Sequence, residues 1–293
     1  VRKKKSILSQ YRKRSPFQEF VYRFSQNKGA VLALVILLVI AIFAIFSDVL
    51  FDYQKDIAGI SSDMLQKPSA KHPFGTDAVG RDLFKRVLYG SRYSLSIAFA
   101  VVIGSTVIGV PIGAICGFYG GKVDLFVMRI MNIIGSIPGL LMGVLVISAL
   151  GQSTKSLIIA LAISGISPIA GITRTSVMTV RSMEYVEAAK AIGQKKLYIV
   201  FRQCLPNCLA PIIVAVTFRI GLAIISASSL SFLGIGVKVP LPEWGALLSD
   251  GRQFIQSAIH LTLFPGLFIM ITVLAFNMLG DGLRDALDPK LKK

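Results

Sequence analysis

Cys204 and Cys208 stand one helical turn apart, a spacing at which two thiolates could share a metal. A closed site needs further donors. The third cysteine, Cys116, and the two histidines, His72 and His260, lie far off along the chain. The thiols therefore read as small apolar residues and each lone histidine as a hydrogen-bonding group. Nucleotide chemistry would need a phosphate-cradling loop, GxxxxGK followed by Ser or Thr. The nearest stretch, at Gly121–Lys122, has Cys116 where the first glycine must stand and Val123 where the hydroxyl is needed. No paired carboxylates and no nucleophile beside a base stand out. The chain is expected to catalyse nothing, to hold no cofactor or metal of its own, and to draw energy from another protein.

Two features remain that could do work. Arg219 lies about twelve residues past Asn207, so at ~1.5 Å per residue it is ~18 Å deep, near mid-membrane. A cation there costs ~2.5–3.5 kcal/mol on insertion scales, and no carboxylate of this chain sits at that depth. Helical spacing groups it with Leu222, Ala223, Ser226 and Ser229. This face either lines a wet pathway, with Arg219 meeting substrate or a partner subunit beside Ser226 and Ser229, or pairs structurally with helix-end carbonyls or a partner acid. The second feature is the polar stretch 174–207, which reads as two short amphipathic helices around a glycine break. Tyr185, Val186, Ala189 and Ile192 form an apolar face, while Glu187 and Lys190 look outward. The Ala188–Ala189 pair is small enough to enter a tight groove on another protein. Gly193 ends the first helix, since a left-handed turn costs glycine nothing. Leu197, Val200 and Phe201 carry the second towards Pro206.

Long apolar runs must position these residues. Of 293 residues, 54% are hydrophobic and only 16% charged, and mean hydropathy is +0.68. An all-α membrane protein with about six crossings follows, since ~20 apolar residues suffice for one. A basic tail, residues 1–28, precedes a first span at 29–51, read as an uncleaved anchor. An outer segment, 52–94, ends in an amphipathic helix with Leu83, Phe84, Val87 and Leu88 on one face and Lys85, Arg86 and Arg92 off it, expected to lie on the membrane surface. The remaining core, 95–280, has spans at 95–118, 127–150, 156–174, 209–233 and 259–279. Between them come an inner loop, 175–207, and an outer loop, 234–258; a charged tail, 281–293, closes the chain. Gly109, Gly113 and Gly117 recur every four residues, a stripe on which two helices can pack closely. Pro111, Pro138, Pro168 and Pro265 lie within spans, where they loosen or kink a helix. The formal charge of +17 segregates: the tails, the short turn 119–129 and loop 174–207 net +14, the opposite loops +2. Under the positive-inside rule both termini and the 174–207 loop are cytoplasmic, and nucleic-acid binding is not needed to explain the charge.

The 174–207 stretch resembles the EAA loop of ABC importer permeases: E-A-A, three residues, G, nine residues, then I-x-L-P. Glu187, Ala188, Ala189, Gly193, Leu205 and Pro206 match, and Gln203 stands at the isoleucine position. The segment HPFGTDAVGRDLFKRVLYGSRYSL, 72–95, is similar to the stretch after the first span in oligopeptide, dipeptide and nickel permeases, through Gly75–Asp77, Arg81–Asp82, Tyr89–Gly90, Arg92 and Ser94–Leu95. SLSFLGIG with PEWG, 229–245, and DGLRDALDPKLK, 281–292, resemble the same family; Asn132 departs from its acidic residue in the third span. The resemblance implies a type I ABC importer permease fold and the second, C-type permease subunit, in a bacterial or archaeal cytoplasmic membrane. It implies as partners a second homologous permease, two ATPase subunits that bind ATP and Mg, an extracytoplasmic binding protein meeting 52–94 and 234–258, and membrane lipid. Oligopeptides or dipeptides are the implied substrates, with nickel or a metal chelate as the alternative. Tyr185, Glu187, Ala188, Ala189, Gly193, Leu205 and Pro206 are then the ATPase-coupling residues. A competing class, an ATP-independent secondary transporter or channel, predicts intramembrane acids, and the spans carry none suited to that role.

Overall fold

The structure is a computed structural model that describes residues 15–238 and 240–287. The basic stretch 1–14 and the last residues of the C-terminal tail, 288–293, lie outside the described residues. The first helix, α1 (Pro16–Gln26), is opened by a capping box in which Ser15 and Gln18 each accept the other's backbone N–H. Asn27 ends α1 and opens α2 (Lys28–Leu50) by accepting from the Ala30 N–H. There follow α3 (Leu83–Tyr119), α4 (Gly121–Ser136), α5 (Gly139–Leu150), α6 (Thr154–Val180) and α7 (Glu184–Ala191). A short helical run, Lys196–Tyr198, Ile199–Cys204 and Leu205–Asn207, then leads into α8 (Leu209–Phe232), α9 (Trp244–Gly251) and α10 (His260–Leu287).

Among the described residues five helices, α2, α3, α6, α8 and α10, are each long and apolar enough to cross a membrane, and the bent pair α4–α5 makes a sixth crossing where it is counted as one span. Hydrogen bonds sort the helix ends into two groups. At one end Asn27 donates to Asp285, and Arg181 donates to the carbonyls of Gly117 and Phe118. At the other, Tyr89 donates to Asp48, the Trp244 indole donates to the Val87 carbonyl, and Gln152 donates to the Gly234 carbonyl. Each long helix therefore runs from one end to the other.

Several expectations are corrected. The stretch 83–92 does not lie flat on a membrane surface; it is the first part of a single 37-residue helix. Asp82 caps it, and Leu83, Val87 and Leu88 are buried in the main core. Arg86, read as part of the polar side, is 1% exposed and held by Asp77 at 2.6 Å. Pairing of that cation with the folded segment before it is what allows the helix to stand upright. The third span, expected as one helix over 127–150, is broken between α4 and α5 by an 88° bend. Pro138 forces Ile137 into extended backbone (φ −79°, ψ 121°), so the helix cannot continue through it. Pro111, Pro168 and Pro265 remain inside helices. The span read at 156–174 also runs on to Val180, and the last one to Leu287, which shortens both polar segments that follow.

The main core joins α3, α8, α9 and α10 around Trp244. Glu243, 1% exposed, accepts from the N–H groups of Gly245 and Ala246 (both 3.0 Å) and from the hydroxyl of Ser228 at 3.2 Å, capping α9 from inside the protein. Gly90 permits this approach: a Cβ there would lie 2.0 Å from the Pro242 carbonyl oxygen. The α3–α6 pair is just as close. Added Cβ atoms at Gly109, Gly113 and Gly117 would sit 2.9, 2.3 and 2.5 Å from the carbonyl oxygens of Ile166, Ala170 and Arg174.

Candidate functional site

At the end that carries Asn27 and Asp285, the segment between α6 and α8 folds into a compact knob. Its first element, α7, begins with Glu184 and Glu187, whose charges suit a helix N-terminus, and has Lys190 near its other end. Gly193 takes φ +75°, and the turn is closed by Gly193 N–H donating to Lys190 O and Gln194 N–H to Ala189 O. Gln203 donates to the Gln194 side chain at 2.5 Å and so latches the second helical run onto the turn. This latch involves the residue at which the sequence departs from the family pattern. It could have been found only by knowing that the chain doubles back after Gly193.

The four apolar residues expected on one face of α7 divide between two. Val186 and Ala189 are buried against Ala114 and Phe118 of α3 and Val177 and Val180 of α6, together with Ile199, Val200, Cys204 and Cys208. Tyr185, Ala188 and Ile192 face outward, Ile192 with 75% of its surface exposed. Steps of three and four residues place these three on one stripe, flanked by the Glu187–Lys190 ion pair at 2.7 Å. Ala189 therefore anchors the helix to its own chain, while Ala188 belongs to the free stripe. Beyond the turn, Leu205 is half-buried and Pro206 exposed at the approach to α8. Leu197 and Phe201 are exposed and Val200 buried. The thiols of Cys204 and Cys208 sit in the apolar interior, and burial pushes that of Cys208 up to about 11. Protonated thiols packed among aliphatic side chains are poor metal ligands.

Arg219 is half-buried on α8, in the wall of a cavity of about 790 Å³. Phe218, Leu222 and, from α10, Arg284 line it too. Among the described residues neither guanidinium has a hydrogen-bond or ion-pair partner. Ser226 and Ser229 are half-buried two and three turns further along α8 and do not line this cavity; the Ser229 hydroxyl donates to the Ile225 carbonyl at 2.8 Å. Ala223, expected on the same face, is buried in the core instead. The grouping of Arg219 with both serines at one site is thus not seen. Arg284, which sequence spacing could not bring to Arg219, shares its cavity because α8 and α10 pack side by side.

Residues 109–293 match the family described as binding-protein-dependent transport system inner membrane component. Residues 15–68 match the N-terminal TM domain of oligopeptide transport permease C. A dipeptide transport system permease protein, DppC, of Alkalihalophilus pseudofirmus is 44% identical over 97% of this chain and 93% of its own. The glutathione transport system permease protein GsiD of Pectobacterium atrosepticum is 40% identical over 95% and 93%. DppC of Haemophilus influenzae is 39% identical over 96% and 97%. Among solved structures, an inward-facing form of the MetNI methionine ABC transporter superposes with a TM-score of 0.58 at 20% identity, covering 70% of this chain and 98% of that one.

Proposed function

This chain belongs to the binding-protein-dependent transport system inner membrane components, non-catalytic permease subunits of ABC importers in the bacterial inner membrane, and from that premise we propose that it couples ATP hydrolysis to peptide passage through α7. The carrying observation is the stripe Tyr185–Ala188–Ile192: apolar, outward, and mounted on a helix whose opposite side is anchored in the fold. An ATPase subunit that buries this stripe pushes on α7, and the Gly193 turn and the Gln194–Gln203 latch keep the knob from yielding. Glu187 and Lys190 frame the contact, and Leu205 and Pro206 pass the push to α8. In this reading two ATPase subunits hold ATP and Mg, and a second permease completes the pathway. Residues 52–94 and 234–258 meet an extracytoplasmic binding protein, and both termini are cytoplasmic. The names of the relatives, dipeptide and glutathione permeases, favour short peptides as substrates. Arg219 and Arg284, without a partner among the described residues, then offer cations to a peptide carboxylate or to an acid of the second permease.

The test is made on the assembled complex in proteoliposomes. Gly193→Pro removes the positive-φ turn, and Glu187→Lys reverses the charge beside the stripe. Both are expected to cut ATP-dependent uptake at least tenfold, a coupling loss of ~1.4 kcal/mol or more. Intact assembly with unchanged uptake in both variants would refute the docking role.

A further inference from the structure

The push on α7 must reach a membrane helix, and the shortest covalent route, through residues 192–208 to α8, is a run of short helical pieces. A second route is built from side chains. Arg181 stands just past the end of α6, and its Nη1 donates to the carbonyls of Gly117 at 3.0 Å and Phe118 at 3.2 Å. These belong to the last turn of α3, where carbonyls lack intrahelical donors and the helix dipole favours a cation. Gly120, at φ +64°, leaves room for this: a Cβ there would lie 3.0 Å from the same Nη1.

The helix that receives the push is tied to the same place. Lys190 of α7 donates to Glu187 at 2.7 Å and to the Arg181 carbonyl at 3.5 Å, and its ammonium lies 5.6 Å from the centre of the Phe118 ring. Beneath these polar contacts Val186 and Ala189 share an apolar cluster with Ala114 and Phe118. Two turns earlier on α6, Arg174 pairs with Asp124 of α4 through both carboxylate oxygens. The ends of α3, α4 and α6 and the whole of α7 are therefore cross-braced, and Arg181 is the brace with two carbonyls on one nitrogen.

We infer that Arg181 is a positioning residue that locks α7 to the inner end of α3, so that knob and helix move as one body. The inference rests on the reading of α7 as the ATPase-docking element. An arginine is required because the plane of its fork fixes the two N–H donors of Nη1, one for each carbonyl, whereas a lysine presents a compact point charge whose donors rotate. The direct test is a pair of spin labels at Glu184→Cys on α7 and Tyr119→Cys at the end of α3, both exposed positions, with Cys116, Cys204 and Cys208 replaced. The distance is read in the full complex with its ATPases, nucleotide-free and trapped with ATP and vanadate. The expected change in the parent is below ~2 Å, the scale of small helix adjustments at an interface. In Arg181→Ala the distribution is expected to broaden and to shift on trapping, and Arg181→Lys is expected to restore part of the narrow distribution. The inference is overturned if the parent distance itself shifts by more than that, or if Arg181→Ala matches the parent in both states. Should the alanine variant fail to assemble, the lysine variant decides: a distribution identical to the parent's overturns the need for the fork, a broader one supports it. Failure of docking is read separately, from Gly193→Pro and Glu187→Lys. If those keep full uptake, the ATPase reading falls; if they lose it while Arg181→Ala behaves as parent, only the lock falls.

Discussion

The Asp77 carboxylate accepts from the N–H groups of Val79 and Arg81, from Arg81 Nε and from Arg86 Nη1. It turns two arginines and a bend of backbone into one unit. Removing it by Asp77→Ala leaves Arg86 buried with, among the described residues, only Asp250, 4.0 Å away, and the Pro240 carbonyl. Breaking a buried pair from one side costs about 3–5 kcal/mol. A clear fall in melting temperature of the detergent-purified complex is expected, with Val79→Ala as a near-neutral control. Asp250 acts in the opposite sense. Burial, only partly offset by Arg86, pushes its carboxyl above the ordinary value of 3.8. The folded protein then holds a proton that the unfolded chain has lost, so stability falls as pH rises from about 3.8 through the raised value. Asp250→Asn is expected to raise the melting temperature at pH 7 and to change little near about pH 3.5. The reverse dependence would show that Arg86 holds Asp250 charged. Neither role was legible in the sequence. Arg86 stood off the apolar stripe and was placed outside; its partners come from residues 77 and 250, and only the tertiary fold brings those together.

Helices α3 and α6 touch along the glycine stripe with backbone almost against backbone. A side chain at Gly113 would start 2.3 Å from the Ala170 carbonyl oxygen and 2.8 Å from the Thr173 Cβ. Gly113→Val is expected to cost at least the ~1–3 kcal/mol typical of overpacking, whereas Gly171→Ala, where nothing lies within 4 Å of the added carbon, is expected to cost nothing measurable. Thermal unfolding of the two variants side by side checks this. The apolar runs of α2, α6, α8 and α10 are plain in the sequence because burial in lipid demands unbroken apolar length. The break at Pro138 was less plain, since three other prolines sit in helices without breaking them. The signal was the next residue: Pro138–Gly139 is a turn dipeptide, while the other three prolines are followed by Ile112, Ile169 and Gly266. That last case shows the limit of the rule, because Pro265–Gly266 is the same dipeptide and yet stays inside α10. For α7, spacing alone grouped four apolar residues. Which of them turn inward depends on where α3 and α6 lie.

Taken as a whole, the molecule has two ends with different duties. At one are the knob, the termini of α2 and α10, and the lock at Arg181. At the other, residues 61–82 are stitched to α3 through Asp77–Arg86 and to α10 through His260 beside the Thr76 carbonyl, and braced within themselves by His72–Asp82 at 2.7 Å. The inside-out assignment of these ends is tested by thiol labelling with a membrane-impermeant reagent in a background lacking the three buried cysteines. Ser62→Cys is expected to label in intact spheroplasts, and Ser25→Cys only after the membrane is opened. The reverse pattern would place α7 outside and end its role as an ATPase contact. Charge segregation is the sequence signal behind the proposed orientation; the stitching did not show, because it depends on loops folding back over ~10–180 residues of chain.

The 37 residues of α3 reach about 55 Å at ~1.5 Å each, well beyond the ~30 Å hydrocarbon layer. Such a shaft is held along its length: residues 61–82 clasp one tip, α7 the other, and α6 lies against the glycines between them. A few ångströms of travel at either tip must be answered at the other, so news of a docked carrier outside and of spent nucleotide inside would ride on the same piece of backbone.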